Sequence, residues 1–247
     1  MKEESEIRRP NEELASVAEI TISKAKELIL QSIPNDEIVS MYIKGSYVQK
    51  EMQPNSDVDI VVILKTEQYL PAVYELTEQY GESVTPPFQA VVYTMKELQT
   101  GERASNRTRN TTTISIFVKQ MEYLPLIYGT KPEGPLFTRT DKKDLTAYLG
   151  VFRKTFMAEL KEGKLSFKGL VKLTLWLIER AERAGGNPIT YYSWQKLADS
   201  IKDPNHIIHT TLRLRRQEQK ATESEQAIFL EQLEDYLQSL EKTYNTK

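Results

Sequence analysis

The seven residues VDIVVIL, Val58 to Leu64, constrain the fold of this chain more than any other stretch. A run so rich in β-branched and aliphatic side chains suits a central strand buried within a sheet. Upstream, ELASVAEITISKAKELILQSI (13–33) spaces its apolar side chains at helical intervals and stops at Pro34-Asn35-Asp36; EIVSMYIKG then reads as another strand. Downstream, a helix over 66–80 leads to FQAVVYT, a third strand. The order helix, strand, strand, helix, strand predicts a sheet of mixed strand directions covered by helices.

Beyond Asp141 the pattern changes. Helix formers dominate, and helices are expected near 142–162, 167–184, 191–202 and 223–243, with Gly185-Gly186-Asn187-Pro188 as the clearest break. Ala227, Leu230, Leu233, Leu237 and Leu240 fall on one stripe of the last helix, and Trp176 lies within the apolar run LVKLTLWLI. KPEGPLF (131–137) reads as a linker. The fold class is therefore α+β, with a mixed-sheet domain over 1–140 and an α-helical bundle over 141–247.

Composition removes several functions. The chain has 247 residues, a formal charge of -2 and no cysteine, which excludes disulfide frameworks, thiolate nucleophiles and cysteine metal sites. The start, MKEESEIRRPNEEL, is highly charged where a secretory signal needs an apolar stretch, and no run nears the roughly 18 apolar residues of a membrane span. A cytoplasmic protein with no membrane partner is expected. Lys and Arg number 15 against 20 Asp and Glu in residues 1–140, and 18 against 15 afterwards. So mild an asymmetry argues against nucleic acid as a partner, although Arg103, Arg107 and Arg109 in the polar segment 100–113, and RLRRQEQK at 213–220, form local basic groups. His206 and His209 lack a third ligand at metal-binding spacing and read as structural.

The stretch IKGSYVQKEMQPNSDVDIVVIL carries the chemistry. Residues two apart on a strand share a face, so Asp57 and Asp59 project together while Val58 and Ile60 pack the other way. Two adjacent carboxylates repel unless cations neutralise them, and oxygen ligands of this kind suit Mg²⁺. Gly45 closes the preceding strand and Ser46 opens a turn or helix, a geometry that brings backbone amides near a phosphate. Phosphate and metal sites would be neighbours, as nucleotidyl transfer requires.

GSYVQKEMQPNSDVDIVVIL resembles the signature of the DNA polymerase β type nucleotidyltransferase superfamily. Its spacing is similar to that of the aminoglycoside nucleotidyltransferases, the antibiotic-resistance branch, and FQAVVYTMKEL occupies the place of that branch's third strand. The resemblance implies a catalytic α/β domain, a helical C-terminal domain, a nucleoside triphosphate donor such as ATP, two Mg²⁺ ions and a small-molecule hydroxyl acceptor. It assigns Gly45 and Ser46 to the triphosphate and Asp57 and Asp59 to the metals. Gln89 stands in line with the family's third carboxylate, offering one carbonyl oxygen but no basic group. Glu159 is then the candidate general base.

Alternatives stay open. Gln89 also suits a nucleotide-binding protein with impaired catalysis, and the same fold serves protein or RNA acceptors. Tyr191, Tyr192 and Trp194 offer faces for stacking on a base or sugar. A homodimer is a further expectation.

Overall fold

The computed structural model describes residues 10–103, 114–187, 189, 193–217 and 219–244. Arg107, Arg109, Pro188, Tyr191 and Tyr192 lie outside the described residues. The chain divides into two compact units, Met1–Thr138 and Arg139–Lys247, each with its own apolar core.

The first unit runs α1 (Pro10–Ser32), β1 (Ile38–Lys44), α2 (Ser46–Gln49), β2 (Val58–Leu64), α3 (Leu70–Tyr80), β3 (Phe88–Thr94), α4 (Met95–Thr100), α5 (Ile114–Gln120) and β4 (Leu126–Gly129). Its sheet has the strand order β3-β2-β1-β4. β2 is interior and pairs antiparallel with β1 and parallel with β3. Every residue of β2 except Asp59 is buried, as its β-branched run requires. One face of the sheet, through Met41, Ile43, Val58, Ile60, Val62 and Val92, shares a core with Ala25 and Ile29 of α1 and Val73 of α3. On the opposite face the Phe117 ring of α5 stacks on Tyr93 at 4.5 Å and meets the edge of Tyr42 at 6.4 Å.

α3 begins at Leu70, four residues later than the spacing suggested, where Pro71 at the first turn needs no hydrogen-bond acceptor. β4 was not anticipated: its four residues are exposed or half-buried and show no alternation to read. The segment 131–137 forms no helix or strand, yet Phe137 is tied down. Its N–H donates to the Leu98 carbonyl at 2.7 Å, and its ring lies against Gly101.

The second unit is helical: α6 (Asp141–Val151), α7 (Met157–Lys161), α8 (Phe167–Ala184), α9 (Trp194–Ser200), α10 (Ile207–Arg216) and α11 (Glu223–Tyr244). Side-chain caps start four of these helices. Thr140, Ser166, Ser193 and His206 accept backbone N–H groups of α6, α8, α9 and α10. The helix expected over 142–162 is interrupted by a π turn, Phe152–Phe156, and α10 covers His209 and the start of the basic stretch 213–220, where no helix is expected. In α11 the buried stripe is Phe229, Leu233, Leu237 and Leu240, with Leu230 half-buried. Ala227 is exposed and does not belong to it, because the bulkier Phe229, edge-on to Phe167 at 5.5 Å, takes the core position. Trp176 is half-buried, packing edge-on against Trp194 at 5.0 Å.

Candidate functional site

At the end of β1 the chain turns through Gly45, which takes φ 77 and ψ -154. Only glycine occupies that region without strain. A Cβ there would lie 2.1 Å from Asp59 Oδ2 and 3.1 Å from its Cγ. The bare backbone of Gly45 is thus what allows the Asp59 carboxylate to approach the turn. From Gly45 the chain enters the single turn of α2 and leaves it through Lys50 in the left-handed region, φ 57. Residues 51–57 return it to the sheet. Ser56 Oγ accepts the Gln53 N–H at 2.9 Å, and the Ser56 N–H donates to the Gln53 carbonyl at 2.8 Å.

Asp57 immediately precedes β2, whose first N–H, that of Val58, already donates to the Pro87 carbonyl at 2.8 Å. Strand alternation carries Asp57 and Asp59 to one side, while Val58 and Ile60 are fully buried on the other. Both aspartates are half-buried.

Across the sheet, Asp59 is in register with Lys44 on β1 and with Gln89 on β3. Register partners share a face, so Lys44, Asp59 and Gln89 form a row, with Gln89 exposed. Lys44 was not read as a site residue. It directly precedes the glycine, but only the antiparallel register, fixed by the length of the 45–57 connection, brings it beside Asp59. Glu159 is half-buried on α7 in the helical unit. Arg103 is described at the end of the polar segment, whereas Arg107 and Arg109 are not.

The donors of the first unit suit a hard divalent ion. Two half-exposed carboxylates with a carboxamide oxygen in the next strand leave coordination positions for water and phosphate oxygens. Among the described residues no group of three or more His, Asp or Glu side chains is placed to hold a metal, in keeping with glutamine at position 89. His206 and His209 serve structure instead. His206 Nδ1 accepts the Ile208 N–H at 3.1 Å, and His209 Nε2 lies 3.1 Å from the Asp203 carbonyl. Arg213, in the basic stretch, pairs with Glu225 at 2.9 Å. Among the described residues no helix is long and apolar enough to cross a membrane.

Residues 26–100 match the family described as Polymerase beta, Nucleotidyltransferase. The match spans α1 from its second half through β1, β2, α3, β3 and α4, and so contains Gly45, Asp57, Asp59 and Gln89. A comparison with curated proteins gives no significant match.

Proposed function

We propose, from a nucleotidyltransferase domain of the DNA polymerase β type over residues 26–100, that the protein transfers a nucleoside monophosphate, AMP from ATP, to a hydroxyl of a small-molecule acceptor. The acceptor oxygen attacks the α-phosphorus, the bond to the β-phosphate oxygen breaks, pyrophosphate leaves, and the hydroxyl proton passes to a base. The observation that carries this reading is the Asp59 carboxylate seated against the Gly45 backbone, 2.1 Å from where a Cβ would stand.

Asp57 and Asp59 would hold Mg²⁺, which when bound neutralises the triphosphate and favours departure of pyrophosphate. Gly45 and Ser46 bind the triphosphate, the glycine because a side chain there would displace the Asp59 carboxylate from the turn. Gln89 orients the nucleotide through its amide. Glu159 of α7 is the carboxylate that the resemblance offers as general base, a role a glutamine at 89 cannot take. The acceptor class closest to the sequence pattern is the aminoglycoside-like antibiotic, and a cytoplasmic location fits access to ATP.

A second reading has its own support. Gln89 is in register with Asp59, and a neutral group there weakens the charge available to a metal, which favours a nucleotide-binding protein with impaired turnover. Incubation with labelled nucleoside triphosphates, Mg²⁺ and hydroxylated acceptors, including aminoglycosides, peptides and RNA, separates the two. Transfer with release of pyrophosphate supports the enzyme; nucleotide-dependent thermal stabilisation with no transfer to any acceptor supports the binding protein.

A further inference from the structure

Arg180 lies in the interior of the helical unit, in α8, only 7% exposed. Arginine is rarely buried to this degree without an anionic partner, because taking its charge out of water is costly. Its guanidinium carbon sits 3.9 Å from the centroid of the Tyr148 ring and 5.7 Å from that of Trp176. Nη1 donates to the Trp176 carbonyl at 2.7 Å. Nε is buried with no hydrogen-bond partner. Among the described residues no carboxylate forms an ion pair with it. The adjacent acid, Glu179, is also buried but is engaged by Arg183 at 3.1 Å, and Tyr148 spends its hydroxyl on the Leu173 carbonyl at 3.2 Å.

Two π faces and one carbonyl hold a cation in place without neutralising it. The Nε edge of a guanidinium is one of those that bind planar oxyanions through two parallel hydrogen bonds. The geometry points to an oxyanion-binding site at Arg180, in which the guanidinium, backed by Tyr148 and Trp176, takes the phosphate or carboxylate group of a ligand. This site does not depend on the transfer chemistry assigned to the first unit.

The test uses the full chain labelled with ¹⁵N-arginine, whose buried Nε–H gives a protected resonance. That resonance is assigned to Arg180 by its loss in Arg180→Lys. Inorganic phosphate, pyrophosphate and acetate are titrated at constant ionic strength. Saturable movement of the Arg180 resonance is expected with at least one of them, and which one moves it distinguishes a phosphate from a carboxylate ligand. Followed by other resonances, Arg180→Lys should bind that anion about tenfold more weakly, since an ammonium cannot reproduce the two-point contact. Asp59→Asn should leave the titration unchanged. The proposal is overturned if no anion moves the resonance saturably, or if Asp59→Asn abolishes the movement, which would place the anion in the first unit. It is equally overturned if Arg180→Met shows the same anion-dependent stabilisation as the parent, which would leave Arg180 with no part in anion binding.

Discussion

Gly45 and Asp59 occupy one volume between them: the glycine has no side chain, and the carboxylate fills the place where one would be, 2.1 Å from the position of a Cβ. Gly45→Ala therefore has two costs, a backbone at φ 77 that alanine rarely adopts and a collision with Oδ2. Strain of this kind is worth about 1–3 kcal/mol. Thermal denaturation should show that loss, and equilibrium binding of ATP with Mg²⁺ should fall at least as steeply because Asp59 is displaced. An alanine variant with parental stability and parental nucleotide affinity would mean that the turn is free to relax and has no role in the site.

The row Lys44, Asp59 and Gln89 sets a second expectation. Gln89→Glu adds a carboxylate in register with Asp59, which strengthens binding of a divalent cation and, where only that charge is missing, raises the rate of transfer. Its exposed position makes the change tolerable to the fold. Asp59→Asn should do the reverse, weakening Mg²⁺-dependent nucleotide binding about tenfold or more while leaving the melting temperature within a few degrees. Calorimetric titration of Mg²⁺ and ATP into the two variants measures both. A Gln89→Glu protein that binds Mg²⁺ no better than the parent contradicts a metal held at Asp59 beside position 89.

Much of this architecture is readable from local chemistry. Val58–Leu64 suits a buried central strand and is buried at every residue but Asp59, and FQAVVYT becomes β3 with the bounds read for it. FKGLVKLTLWLIERAERA, Phe167 to Ala184, reads as one helix, and Ser166 caps its start while Gly185 follows its end. What escaped notice depends on contacts distant in sequence. β4 is held in place by its partner β1 rather than by its own pattern. α10 begins with a histidine cap, an uncommon choice that looks like part of a turn. In the candidate site the residue types Gly, Asp and Asp were legible. The approach of Gly45 to Asp59 and the presence of Lys44 beside it follow from strand register, which no single segment encodes.

In the helical unit, Arg153 in the π turn clamps α11. Its Nε and Nη2 donate to Glu241 at 2.7 and 3.1 Å, and Nη1 pairs with Glu234. The π turn belongs to the same device, since widening the helix alters the direction in which residue 153 projects. Arg153→Met keeps much of the aliphatic stem and removes the charge. A loss of about 1 kcal/mol is expected, modest because all three side chains retain contact with water. The hydrogen bond from Arg153 holds the Glu234 carboxyl below its ordinary value, with Gln238 adding to the effect. A carboxyl lowered on folding contributes stability above its unfolded value, and that contribution is lost as pH falls through the folded value. The stability difference between parent and Arg153→Met should thus narrow in acid and be largest near neutrality, as urea denaturation at several pH values will show.

His206 carries the opposite kind of group through the same linkage. Its neutral ring caps α10, with Nδ1 accepting the Ile208 N–H at 3.1 Å, and it packs edge-on against Tyr236 at 5.2 Å. Burial lowers its pKa and His209 adds to this, while Glu182 and Asp203 pull the other way without reversing the shift. The folded protein therefore resists protonation at His206 more than the unfolded chain does. Stability from the neutral cap is complete above the unfolded value of about 6.5 and is lost as pH falls through the lowered folded value. His206→Asn supplies a carbonyl oxygen that caps without titrating, so the variant should lose less stability than the parent between pH 7.5 and 5. His206→Ala should cost about 1 kcal/mol at pH 7.5, the ordinary worth of a helix N-cap. Thermal denaturation of the three proteins across that range provides the comparison, and parallel pH profiles for the parent and His206→Asn would remove the histidine from the balance.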